Sequence, residues 1–216
     1  DAGVGCGVRI TIGSFNLSKM PSIIKAIENA GLKRFAVCQH FEGRDWKAVK
    51  EERRGIIDFL IDYAMKNPEM EVVTEQLYDD GVYLLLRVAE REPELAAEMK
   101  KLLARQGGCP AGDRIVNVNY RGNVHLCPYW KSRTIGNIRE QRFGDICFDE
   151  ENEILAKMSD KTQYLKGRCG RCRYNHLCRG WGARAEEMCG DPFGADPACY
   201  LTEEEITEAV PITSNT

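Results

Sequence analysis

The sequence holds no apolar run near the roughly 20 residues that a helix needs to cross a bilayer. A membrane span is therefore not expected. Neither charge dominates: 30 Lys and Arg against 33 Asp and Glu leave a formal net charge of -3. That balance argues against generic nucleic-acid binding. There is no internal repeat and no low-complexity tract, so nothing points to a solenoid or a long linker. A secretory signal is also lacking. The chain opens at Asp1, and DAGVGCGVRITIG runs almost at once into a buried-type strand, as expected of a chain that begins partway through a fold. With 216 residues, 43% hydrophobic and 29% charged, one large or two small globular domains are within reach.

What the chain does have is ten cysteines. A secreted disulfide framework is usual in much shorter chains, and clustering as C-x2-C fits a reducing compartment, so a cytoplasmic location is expected. Cys169, Cys172 and Cys178 form a C-x2-C-x5-C run, with Cys189 and Cys199 beyond it. A tight turn between Cys169 and Cys172 places two sulfurs on adjacent corners of one centre. The five-residue loop lets Cys178 reach the same centre, and a distant cysteine closes a set of four. Thiolates are soft ligands, so spacing leaves zinc and an iron–sulfur cluster both open. Lys166, Arg168, Arg171, Arg173, Arg179 and Arg184 surround the run, with no Asp or Glu from Lys166 to Arg184. Four thiolates leave either centre net negative, and a cationic shell stabilises it, tunes a cluster's potential and attracts acidic substrate. A structural zinc knuckle with solvated arginines meets the same pattern.

Val8–Gly13, Lys33–Cys38 and Met70–Thr74 read as short strands. Between them lie a helix capped by Ser18, with Met20, Ile23, Ile24, Ile27 and Ala30 on one face and Gly31 as its stop, and a helix over about 46–66. Strand–helix–strand–helix–strand at these lengths implies parallel strands with crossover helices. Val82–Val88 suits a strand or a buried helix equally. Pro93–Arg105 reads as a helix with Gly107-Gly108 after it, the expected domain boundary. Arg114–Asn119 and Asn123–Cys127 predict a hairpin about Tyr120-Arg121-Gly122. From there to Cys199 there is too little regular apolar patterning for a large core, so metal is the expected organiser. A short acidic helix is expected after Leu201.

Cys109, twelve residues, Gly122, four residues and Cys127, followed at a distance by the Cys169–Cys178 run, resemble the cysteine signature of SPASM domains. These are extensions of radical SAM enzymes that hold auxiliary [4Fe–4S] clusters. Gly136-Asn137-Ile138 resembles them too. GVRITIG, KRFAVCQHFEGRD, DDGVYLLLR, LKGRCGRCRYNHLCRGW and GADPACYLTEEEI resemble, more narrowly, radical SAM proteins of the alternative haem and haem d1 pathways. The resemblance implies an α/β fold: residues 1–107 as the C-terminal part of a radical SAM partial (β/α)6 barrel, 108–200 as a SPASM-like domain, 201–216 as an acidic helix and tail. It implies an auxiliary [4Fe–4S] cluster on Cys169, Cys172, Cys178 and Cys199. It further implies S-adenosylmethionine with its own cluster in the intact enzyme, a sirohaem-derived tetrapyrrole as substrate, and an electron donor such as ferredoxin or flavodoxin. The reaction implied is radical removal or modification of acetate or propionate side chains.

Two departures stand out. No C-x3-C-x2-C motif, the one that binds the S-adenosylmethionine cluster in the family, occurs in the sequence. The expected partner is then a missing N-terminal half of the barrel, without which the chain is expected to be inactive. And Gly182 stands where the family places a cysteine three residues after Cys178. A first auxiliary site on Cys109 and Cys127 is therefore incomplete or borrows Cys189. Arg171, Arg173, His40 and Arg44 are substrate candidates; His40 follows a strand that would point into the barrel mouth. His125 is expected to face outward, His176 to be a loop histidine, and Cys6, Cys38 and Cys147 to be buried small hydrophobes. Trp46, Trp130 and Trp181 read as packing residues, and Lys47–Arg54 as a solvated basic face. The same domain occurs in peptide-modifying radical SAM maturases, and a non-catalytic zinc or electron-transfer module is the alternative of a different class.

Overall fold

The structure, a computed structural model, describes residues 5–13, 15–39, 46–75 and 78–208, and the side chains of 39 and 46–48 are outside the description. His40 and Arg44 lie outside the described residues. The chain forms two compact units: one runs to Ala96 and includes Ala198–Thr202, and the other comprises Ala97–Pro197 and the helix that begins at Glu203.

The first unit is α/β. Strands β1 (Val8–Ile12), β2 (Arg34–Gln39) and β3 (Glu71–Thr74) form a parallel sheet in the order β1-β2-β3. Helix α1 (Met20–Asn29) crosses from β1 to β2, and α2 (Trp46–Lys66) from β2 to β3. In β1 burial alternates, with Ile10 and Ile12 inward and Arg9 and Thr11 outward. In register, Ile10 pairs with Val37 and Val37 with Thr74. Ile24 and Ile27 of α1, and Ile56, Ile57, Leu60 and Ile61 of α2, are buried. This is the apolar stripe of a helix laid on a sheet.

Ser18 does not cap α1. It sits in a short turn of 3-10 helix, Leu17–Lys19, and α1 begins at Met20 with Pro21 in its first turn. Asn16 sets that turn instead: its side chain accepts from the Gly13 amide at 3.0 Å and donates to the Thr11 carbonyl at 3.0 Å. The ambiguous Val82–Val88 run is helical, inside α3 (Tyr78–Ala89), and Val82, Tyr83, Leu85, Leu86, Val88 and Ala89 are all buried. Helix α4 (Pro93–Gln106) follows and ends at Gly107 and Gly108, both with positive φ.

Two arginines of the basic segment of α2 are not solvated. Arg53 is fully buried against Asp80 of α3, and Arg54 donates to the Tyr200 carbonyl at 3.0 Å with its guanidinium over the Tyr83 ring. A basic run reads as exposed unless a matching acid is seen on a neighbouring element, here Asp80.

The second unit holds an antiparallel sheet of β4 (Asn117–Val118), β5 (Asn123–His125) and β6 (Thr134–Asn137). The hairpin is shorter than its apolar pattern suggests and gains a third strand. Gly122 has φ +85°, and the Asn119 carboxamide accepts from the Arg121 and Asn123 amides to hold the turn. The register shifts between Val124 and His125, and His125 turns inward, not outward. Its ring nitrogens lie 3.0 Å from the Arg133 carbonyl and 3.0 Å from the Asn119 side-chain nitrogen. Short helices complete the unit: α5 (Phe143–Cys147), α6 (Glu153–Ser159), α7 (Gly167–Arg171), α8 (Asn175–Cys178), α9 (Gly182–Cys189) and α10 (Glu203–Thr207).

This unit has more of a core than the sequence suggests: Leu126, Trp130, Leu155, Met158, Ala183 and Phe193 pack with Cys109 and Cys127. Each short element contributes one or two apolar residues, so no periodicity betrays them. Of the three cysteines expected to be buried, Cys38 is; Cys147 is half-buried, and Cys6, between glycines ahead of β1, is exposed. Among the described residues no helix is long and apolar enough to cross a membrane.

Candidate metal centre

Helices α7 and α8 form a knuckle. The Cys172 amide caps α7 on the Cys169 carbonyl, the Asn175 amide turns back to the Cys172 carbonyl at 3.1 Å, and α8 delivers Cys178 one turn later. The chain leaves α8 through Arg179 and Gly180, both left-handed, with φ of 61° and 56°. Arg179 is the one non-glycine with positive φ among the described residues. Its guanidinium is locked inside, on the Asp113 carboxylate at 2.5 Å and the Met158 carbonyl at 2.6 Å. This strained exit fixes where Cys178 ends and where Gly180 begins.

The opposite edge of the knuckle is tied to the Cys109 segment. The Cys109 amide donates to the Cys178 carbonyl at 3.0 Å. Gly108 precedes it with φ +61°, and a β-carbon there would collide with the Cys178 carbonyl group. The double glycine after α4 therefore serves close approach of the two cysteine-bearing segments.

None of the ten cysteines is in a disulfide. Cys169, Cys172 and Cys178 are half-buried, and Cys109 and Cys127 are buried. Burial pushes the thiols of Cys127, Cys169 and Cys172 above their ordinary range. Backbone amides oppose it: that of Asp196 donates to the Cys169 sulfur at 3.4 Å, that of Tyr174 to Cys172, and those of Tyr129 and Trp130 to Cys127. Amides aimed at sulfur stabilise the thiolate over the thiol. Cys169 and Cys172 act on each other electrostatically, as do Cys109 and Cys127. Among the described residues no three or more His, Cys, Asp or Glu side chains are gathered as the ligands of a single ion. The donor set is reduced, soft and fed by N–H donors, and so suits a centre that binds thiolate.

The six basic residues divide. Arg184 is buried and forms a two-pronged pair with Asp196 at 2.7 and 2.6 Å, which holds the residue whose amide meets Cys169. Arg179 is internal, as described. Lys166 reaches Asp191 at 2.7 Å. Arg168 and Arg171 converge on Glu203 of α10 at 2.9 and 3.0 Å and hold its carboxylate below the usual range. Arg173 donates to the Thr207 carbonyl at 3.1 Å. The two arginines expected to meet substrate thus already meet carbonyl and carboxylate oxygen in α10.

Cys189 closes α9 at its exposed end, seven residues and about 10 Å of helix rise from Gly182. His176 stands exposed on α8. Trp130 is fully buried, and its indole N–H donates to Glu186 at 2.5 Å; Trp181 is stacked beneath Arg184 and edge-on to Tyr129. Both pack rather than stand open as platforms. The side chain of Trp46 is not among those described.

Within the first unit, Cys199 belongs to a segment that is anchored at its neighbour. The Tyr200 hydroxyl donates to Asp80 at 2.7 Å, its carbonyl accepts from Arg54 at 3.0 Å, and its ring meets Tyr83 edge-on at 5.3 Å. Burial and Asp80 hold the Tyr200 phenol well above its ordinary range, so it stays a donor. Sequence reasoning missed Arg53, Arg54, Asp80 and Tyr200. The signal available was the pairing of Arg53-Arg54 with Asp79-Asp80 on two apolar helices.

Residues 109–173 match the iron–sulfur cluster-binding domain SPASM. Along 95% of its length the chain is 33% identical to Fe-coproporphyrin III synthase of Methanosarcina barkeri, covering 55% of that protein. Along 97% it is 31% identical to pre-heme d1 synthase of Dinoroseobacter shibae, again covering 55%. The chain thus spans about half the length of the curated relatives it matches. In fold it is similar to SuiB of Streptococcus suis, solved with S-adenosylmethionine, with a TM-score of 0.61 and 15% identity over 92% of this chain and 46% of that one.

Proposed function

We propose, from the premise that this chain belongs to the radical SAM group of haem synthesis whose members carry a SPASM domain, that it supplies the auxiliary iron–sulfur site of such an enzyme. The two haem-synthesis relatives and the SPASM match support that assignment. The proposed ligands are Cys169, Cys172, Cys178 and Cys199. The observation that carries the reading is the α7–α8 knuckle, where three reduced cysteines stand within ten residues, two of them, Cys169 and Cys172, meeting backbone N–H donors, beside Arg168 and Arg171.

A bound cluster would supply one-electron transfer or a site for substrate attachment. The chain's own residues do the rest. The Asp196 and Tyr174 amides favour the thiolate forms of Cys169 and Cys172 against burial, and the Arg184–Asp196 pair fixes the first of these donors. The parallel sheet β1-β2-β3 is proposed as the later part of a partial (β/α)6 barrel, completed by chain outside this sequence. S-adenosylmethionine, its cluster and an electron donor such as ferredoxin or flavodoxin belong to that whole enzyme. The proposed substrate is a tetrapyrrole whose acetate or propionate side chains are removed or modified. Its carboxylates would exchange with Glu203 on Arg168 and Arg171 and reach Arg173, as planar guanidinium favours carboxylate. His40 and Arg44 are the further substrate candidates.

Charge reversal tests the substrate assignment. With Arg171→Glu and Arg173→Glu together in the whole enzyme, tetrapyrrole binding measured by absorbance titration is expected to weaken at least tenfold at low salt. Unchanged affinity would refute the assignment. A zinc module is separated by metal analysis, and a peptide-modifying enzyme by failure to bind tetrapyrrole at all.

A further inference from the structure

Lys161 lies in the 3-10 turn Lys161–Tyr164, wholly buried at 1% exposure. Its Nζ donates to the Gly180 carbonyl at 2.9 Å, and among the described residues it forms no ion pair with a carboxylate. Lysine is almost never so buried unless it is paired, because a charge out of water needs a partner of opposite sign. Its charge favours the thiolate at two cysteine sulfurs, those of Cys127 and Cys169, against the burial that raises both. Gly180, which holds the amine, also lies against Cys169: a β-carbon there would stand 3.7 Å from its sulfur.

The same amine bears on Gly182. A β-carbon at that position would lie 2.9 Å from the Trp130 ring, 2.9 Å from the Pro192 carbonyl and 3.2 Å from Lys161 Nζ. Trp130 cannot withdraw freely, since its indole is held by Glu186, which Arg133 also grips. Position 182 follows Cys178 by the spacing at which the resembling pattern has its next cysteine. In this chain that space is filled by a cation and an indole.

We propose that Lys161 is the internal counter-charge of the thiolate centre. With the Trp130 ring and the Pro192 carbonyl it takes the room that a ligand at position 182 would need, so Cys109 and Cys127 hold no centre of their own, and it offsets the negative charge of the centre bound through Cys169. The proposal rests on the reading that Cys169, Cys172, Cys178 and Cys199 hold an iron–sulfur cluster. Lys161 is a positioning residue, for it touches no substrate. A buried cation next to a net negative cluster favours its reduced form and raises its potential.

The test uses the full chain reconstituted anaerobically with iron and sulfide. Lys161→Met is expected to retain the iron of the wild type while its midpoint potential, followed by EPR-monitored titration, moves to more negative values; Lys161→Arg restores it. Lys161→Gln, which keeps a donor without the charge, makes the same comparison should Lys161→Met not fold. The double variant Cys109→Ser, Cys127→Ser is expected to bind as much iron as the wild type. A potential unmoved in folded Lys161→Met or Lys161→Gln would overturn the counter-charge role. Loss of about half the iron in the double variant would overturn the claim that this pair holds no centre. A wild type that takes up no iron would overturn the underlying reading itself, a result distinct from either.

Discussion

Replacing Asp80 removes the counter-ion of a fully buried cation. Arg53 and Asp80 are both 0% exposed. Arg53 Nε donates to Asp80 Oδ1 at 3.0 Å and Nη2 donates to Oδ2, while the Tyr200 hydroxyl shares Oδ1 at 2.7 Å. Nη1 of Arg53 has no hydrogen-bond partner among the described residues, so the guanidinium has little else to hold it. Asp80→Ala leaves a buried cation without its counter-ion, which costs about 3–5 kcal/mol. The orphaned Tyr200 hydroxyl adds about 1 kcal/mol. At about 2–4 °C per kcal/mol for a chain of this size, the melting temperature should fall by roughly 8–24 °C. The double variant Arg53→Met, Asp80→Leu removes both charges and should lie within about 1–2 kcal/mol of the wild type, or above it. Urea unfolding followed by circular dichroism measures all three. A cost below about 1 kcal/mol for Asp80→Ala would refute the reasoning, since a penalty that small belongs to exposed pairs.

Two further outcomes follow from the second unit. Burial alone would raise Glu186, but Arg133, Trp130 and Ser132 together hold it below its ordinary range. A depressed carboxylate contributes stability that is complete above its unfolded pKa of about 4.3 and is lost as pH falls through the folded value. Glu186→Gln should therefore flatten the acid limb of a pH–stability curve below about pH 4 and lower stability at pH 7; an acid limb identical to the wild type's would count against this account. Gly108→Ala, forced into a left-handed conformation against the Cys178 carbonyl, should cost about 2 kcal/mol or more and lower iron retention. Wild-type iron binding in that variant would show that the approach of Cys109 to Cys178 is not needed.

The sheet was legible because its strands are β-branched and its helices carry long apolar stripes; Ile10, Val37 and Ile57 sit where period alone places them. The α7–α8 knuckle was legible in the spacing of Cys169, Cys172 and Cys178. Long-range polar pairing was not. Arg53 resembles any surface arginine until Asp80 is set beside it, and Arg184 until Asp196 is. Lys161 gave no local signal, because its burial depends on Gly180 and Gly182, about twenty residues later. His125 was misread since alternation assumes a regular strand, and the register shift at Val124 breaks it. The core about Trp130 and Met158 escaped notice because helices of five to eight residues offer too few turns for a period to show.

The account turns on the metal. Iron and acid-labile sulfide per chain, measured after anaerobic reconstitution together with EPR of the reduced protein, test it most directly. The account predicts about four Fe with matching sulfide, a reducible cluster, and loss of both in Cys178→Ala. Stoichiometric zinc with no reducible species would contradict it, and about eight Fe would place a second centre where Lys161 leaves no room.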